Sequence, residues 1–109
     1  MTKETLEVKV REMLHNDEAS RNSDITLTLK IWRKYYSDIV FRARDGKWYV
    51  ELLKLFDLPR EDNIKRIRAK IQNVEHLYLP TSPAVAKKRG WAIDEWREYL
   101  GYPRSDKLK

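Results

Sequence analysis

Cysteine is absent from the 109 residues, which excludes disulfides and thiolate metal sites and agrees with a cytoplasmic setting. No apolar run approaches the roughly 20 residues needed to span a bilayer. The first residues, Met-Thr-Lys-Glu-Thr-Leu-Glu, carry acids and no apolar core segment, so no secretory signal is expected. Histidine occurs only as His15 and His76, without metal-ligand spacing. Glycine-rich phosphate loops, a nucleophile-elbow serine and an HExxH helix are all missing. Nothing therefore points to an enzyme, a cofactor or a metal. With three glycines and four prolines, 41% apolar and 37% charged residues, the chain is too hydrophobic for disorder and too charged for a membrane protein. Its length suits one domain spanning 1–109 with a single modest core.

What is present is positive charge, unevenly placed. Residues 1–57 hold 11 Lys/Arg against 10 Asp/Glu, whereas residues 58–109 hold 12 against 7. The excess of the net +6 thus falls in the second half, which favours a polyanionic partner.

Helical periodicity opens the chain. Leu6, Val10, Met13 and Leu14 form one stripe of a helix over residues 2–15, followed by a polar linker, Asn16–Asn22. Asn22 or Ser23 is a good N-cap, with Asp24 in the first turn of a second helix. Ile25, Leu27, Leu29 and Ile31 also alternate as a strand would, but the caps, the length and the Ile25–Leu29–Trp32–Tyr36 stripe favour a helix. Its aromatic end, Trp32–Tyr36, is expected to pack rather than to serve as a base-stacking platform. Two β-prone runs then flank Asp45-Gly46, predicting a hairpin with a type I′ turn whose tip carries Arg42, Arg44 and Lys47.

Residues about 50–73 are the informative unit. Val50, Leu52, Leu53 and Phe56 suggest a short helix, Asp57-Leu58-Pro59 a tight turn, and Arg60–Asn73 a second helix. That order outlines a helix-turn-helix. At about 100° per residue, Ile64, Ile67 and Ile71 gather on one side of the second helix. Arg66, Lys70 and Asn73 lie almost opposite, with Asn63 and Lys65 beside them. Arginine and asparagine suit base edges, lysine suits phosphates. Arg68 falls near the isoleucines and is expected to be packed and paired with a carboxylate. Glu61 and Asp62 repel phosphate at the helix start, which moves contacts towards Arg66 and Lys70. Further on, His76–Pro80 reads as extended, and Ser82-Pro83 opens a short basic helix over 84–89 with Lys87, Lys88 and Arg89. Gly90 breaks it, and a final helix over 92–100 places Trp91, Ile93, Trp96 and Leu100 on one face before Gly101. The tail from Pro103 is expected to fray.

Asn22-Ser23-Asp24, Leu29, Trp32, Leu58–Asn73, Tyr78-Leu-Pro-Thr81 and Lys87-Lys-Arg89 together resemble a family of small phage and prophage proteins thought to be helix-turn-helix-like. The resemblance covers about residues 20–90. It implies a viral or mobile-element origin and a DNA-associated role, and it transfers no catalytic residue.

These observations predict a mainly α, small winged helix-turn-helix-like domain with one short β-hairpin, regulating transcription by contacting double-stranded DNA. Arg66 and Lys70 would face the groove, Asn63, Lys65 and Asn73 support them, and Lys47, Lys87, Lys88 and Arg89 touch phosphates peripherally. The alternative is a viral factor that binds a host protein through exposed aromatics such as Trp32, Tyr35, Tyr36 and Trp48. No heptad marks a dimer seam, so monomer and homodimer both stay open.

Overall fold

The computed structural model describes residues 5–101. Six α-helices, one two-stranded sheet and a 3₁₀ helix follow one another in the order α1 (Leu6–Asn16), α2 (Glu18–Asn22), α3 (Asp24–Tyr35), β1 (Val40–Arg42), β2 (Trp48–Val50), the 3₁₀ helix (Leu52–Asp57), α4 (Glu61–Asn73), α5 (Pro83–Lys88) and α6 (Ile93–Tyr99). The expected mainly α architecture with one hairpin is what forms. Thr2–Glu4 and the tail from Pro103 lie outside the described residues.

Helix α1 begins where Thr5 can cap it, its hydroxyl accepting from the Val8 amide at 3.3 Å. The linker expected after it is instead the single-turn helix α2, because Asp17 caps it and Ser20 is fully buried. The Ser20 hydroxyl donates to the Met13 and Asp17 carbonyls, and the Arg21 guanidinium donates to those of Leu14 and His15. These bonds satisfy the open carbonyl end of α1, which a solvated linker would leave to water.

Ser23 caps α3 as expected, so the helical alternative holds over the strand. The buried face is different from the expected stripe. Leu27, Thr28 and Ile31 point inward, while Ile25 and Leu29 are exposed. The expected stripe was one helical face, but the neighbouring face is the one that α1 and α4 cover. Val10, Met13, Leu14, Leu27, Ile31, Ile64 and Ile71 form the main core of this α1/α3/α4 bundle, with Tyr35, Tyr36, Ile67 and Tyr78 packed at its edge. Packing is thus the role of the α3 aromatics, and the Trp32 indole donates to the Pro59 carbonyl at 2.9 Å.

The hairpin pairs Val40 with Val50, Phe41 with Tyr49 and Arg42 with Trp48. Its turn differs from type I′. Only Gly46 is left-handed (φ 83°), Asp45 is not, and bonds run from the Gly46 amide to the Ala43 carbonyl and from the Ala43 amide to the Lys47 carbonyl. That is a type I turn closed by a glycine bulge, a three-residue solution that needs only one positive φ. Val40 joins Ile39 and Leu58 in a second small core with Leu55, Trp32 and Tyr36 at its margin.

The first helix of the expected helix-turn-helix is the 3₁₀ segment, and none of its residues is buried. Leu55 and Leu58, three apart, turn inward at the period of a 3₁₀ helix. Leu53 and Phe56, also three apart, turn out to solvent. A six-residue segment between β2 and Pro59 has no second helix laid over it, so nothing lengthens it into α-helix.

In α4 the inward residues are Ile64, Arg68, Ile71 and Gln72, close to the wheel drawn from the sequence. The connection after it is not extended. His76 and Tyr78 have φ of 56° and 49°, and the two left-handed steps carry Leu79 and Pro80 inward. Leu79, Ala86 and Trp96 make a third core with Trp91, Ile93 and Leu100 around it. Ser82 caps α5 with Pro83 at its start, as expected. No helix among the described residues is long and apolar enough to cross a membrane.

Candidate nucleic-acid interface

The start of α3, one flank of α4 and the side of α5 enclose an open groove of about 610 Å³. Glu61, Lys65, Ala69 and Asn73 recur every fourth residue along α4 and form one wall. Asn22–Ile25 form another, and Val85, Lys88 and Arg89 the third. Four cations line it against two carboxylates.

One of those carboxylates is already engaged. Asp24 accepts from Arg68 Nε at 2.9 Å and Nη2 at 3.1 Å, a bidentate pair with side chains only 17% and 5% exposed. Arg89 Nη2 stands 3.8 Å from the same carboxylate, and its Nη1 donates to the Arg21 carbonyl at 2.7 Å and to Gln72 Oε1 at 3.1 Å. Gln72 in turn donates to the Tyr78 carbonyl at 2.7 Å. Burial, and then the neighbouring Arg68, hold the Arg89 guanidinium below its ordinary value, with Asp24 opposing them. It remains charged at neutral pH all the same. Two guanidiniums therefore share one carboxylate on the groove floor, an excess of positive charge in a region of reduced dielectric. At the rim Lys65 and Lys88 are exposed.

The residues singled out from the sequence divide among four places. Lys65, Asn73, Lys88 and Arg89 meet in the groove. Asn63, Arg66 and Lys70 lie outside it; all three are exposed, and the Lys70 ammonium sits 3.4 Å from Glu7 of α1. Glu7 also meets Arg11, which bonds Glu75 at 2.6 Å, so charge on that side is largely balanced. Lys47 sits at the hairpin tip and Lys87 on the outer side of α5, neither lining the groove. Arg89 differs most from its expected peripheral role, since its hydrogen bonds hold α5 to α2 and α4. Arg68 is packed and carboxylate-bound as expected.

Sequence reasoning missed two builders of the groove. Asp24 read only as a first-turn acid, because its partner is 44 residues away and leaves no local trace. Asn22 read as a cap, yet its side-chain oxygen accepts from the Thr81 and Ser82 amides at 2.9 and 3.1 Å. Its amide donates to the Thr81 hydroxyl, so one side chain ties α2 to the start of α5. Beside the groove, sharing Asn73 and Arg89 with it, a smaller recess of about 310 Å³ reaches His76 and Trp91. The His76 ring stacks on Tyr99 with centroids 4.2 Å apart and planes 8° apart.

Among the described residues no group of His, Asp and Glu is placed to hold a metal ion. Compared with protein families, curated proteins and solved structures, the chain matches none of them.

Proposed function

We propose that this chain is a small DNA-binding protein that holds the phosphate backbone of a duplex in the groove between α3, α4 and α5. The observation that carries the reading is the excess of two guanidiniums over one carboxylate on the groove floor, beneath the exposed ammonium groups of Lys65 and Lys88. Such an arrangement attracts a polyanion and gains further when phosphates replace the released counterions. In this reading α4 is the presented helix of a helix-turn-helix-like unit, with α1 and α3 behind it rather than the 3₁₀ segment. Asn73 supplies an amide at the groove, whereas Asn63, Arg66 and Lys70 on the other side of α4 face away from the duplex in this reading. Lys47 and Lys87 are peripheral phosphate contacts, and a regulatory role follows from occupying the duplex.

Fluorescence anisotropy with a random-sequence duplex across a salt series tests this. Affinity is expected to fall linearly in log salt. Lys65→Glu with Lys88→Glu should flatten the slope by about 0.9 for each phosphate no longer neutralised, at unchanged melting temperature. Absence of binding at low salt, or a double variant that binds like the parent, overturns the proposal. If Arg66→Ala with Lys70→Ala is the pair that abolishes binding, the duplex lies on the other side of α4 and the groove assignment fails.

A further inference from the structure

A chain that places its largest apolar side chains in water does so against the hydrophobic effect, at about 25 cal/mol for each Å² left exposed. Leu52, Leu53 and Phe56 of the 3₁₀ helix are 76%, 91% and 94% exposed. In the hairpin that leads into it, Phe41, Tyr49 and Val50 are also exposed. Phe41 and Tyr49 are direct cross-strand partners with stacked rings, centroids 6.1 Å apart. They stand on the face of the hairpin opposite Val40, which is the strand residue buried in the core. Val50 pairs with Val40 and shares its face, so the outward apolar set is Phe41 and Tyr49 of the hairpin with Leu52, Leu53 and Phe56 of the 3₁₀ helix.

We infer that this surface is where a second copy of the chain docks. At the observed exposures these five side chains leave on the order of 650 Å² in water, counting about 200 Å² for each fully exposed aromatic and somewhat less for each aliphatic residue. That exceeds the roughly 300–600 Å² of the largest patch on an ordinary monomer. Paired about a twofold axis, the patch covers itself and buries about 1,300 Å² in total, inside the ~1,200–2,000 Å² of a stable interface. Charge favours a copy of the same chain here more than elsewhere. Residues 41–57 hold Arg42, Arg44, Lys47 and Lys54 against Asp45, Glu51 and Asp57, while the chain as a whole carries +6. Lys54 and Glu51 approach each other at 3.8 Å, so the rim is close to neutral where two strongly basic molecules would otherwise repel. The inference does not rest on DNA binding.

Sedimentation velocity on the full chain over about 1–100 µM, where a modest interface of this size dissociates, is expected to show a monomer–dimer equilibrium. Leu53→Glu with Phe56→Glu should sediment as a monomer throughout while keeping the parent's far-UV spectrum and its melting temperature at the dilute end. Because the chain has no cysteine, Leu53→Cys offers a second measurement. On mild oxidation it should form a covalent dimer much faster than Ala84→Cys, an exposed position on α5. A parent that stays monomeric at the highest concentration overturns the inference. So does a double glutamate variant that still dimerises, or equal cross-linking from the two cysteine positions.

Discussion

The Asp24–Arg68–Arg89 network and the Leu52–Asp57 segment reverse each other's chemistry. In the first, Arg68 is 4% exposed; in the second, Phe56 is 94% exposed. The difference lies in what surrounds each residue. Arg68 sits on α4 beside Asp24 of α3 and Arg89 at the end of α5, and Asp24 and Gln72 accept from its guanidinium. Phe56 sits on a short helix that presents only Leu55 to the core before Leu58. A charged group is buried here because a carboxylate and an amide oxygen accept from it, and an apolar group is exposed because no element lies over it. Hydrophobicity alone ranks the two the wrong way round.

The comparison breaks most visibly at the buried end. Asp24→Ala leaves two guanidiniums without their carboxylate and should cost about 3–5 kcal/mol in chemical denaturation. A loss under about 1 kcal/mol would mean that water, rather than protein, answers Arg68. Truncation in the main core is expected to come next. Ile71→Ala, at a fully buried position, should cost about 2–5 kcal/mol, and the half-buried Ile67 less. An equal loss at both would place the core further around α4 than the structure does.

A smaller effect comes from Asp17, whose carboxyl is held below its ordinary value chiefly by the hydrogen bond from Lys30. A depressed carboxylate contributes stability that is present above its unfolded value, about 3.9, and is lost as pH falls through the lower folded value. Unfolding free energy should therefore decline below about pH 4, and Asp17→Asn should make that decline shallower. An unchanged acid limb would show that other carboxylates govern it. Smallest of all, Phe56→Ala measured on dilute monomer should change stability by no more than about 0.5 kcal/mol. A larger loss would show that Phe56 is covered within its own chain.

Caps and periodicity make α1, α3, α4 and α5 legible from the sequence. Ser23 and Ser82 cap two of them, and Pro83 stands at a helix start, all of them local signals read within one turn, whereas the Thr5 cap of α1 falls inside the helix expected from residue 2. Arg68 is legible too, because a long cation beside Ile64, Ile67 and Ile71 has to find a carboxylate. Identifying that carboxylate is beyond local pattern, and so is the side of α4 that Lys65 shares with Lys88. The same holds for α2, where five residues of the expected linker become a helix through Ser20 and Arg21 bonding back to α1.

The amino-acid sequence by itself determined a basic, mainly helical chain with one hairpin and the bounds of most helices, since capping and periodicity act over a few residues. Tertiary structure decided which face of α3 is buried, that 52–57 winds as an uncovered 3₁₀ helix, and that Asp24 and Asn22 join α4 and α5 into one groove. The groove depends on hydrogen bonds between residues 44 to 60 positions apart, and the other two outcomes on which face a neighbouring element covers, which the residue's own hydrophobicity does not set.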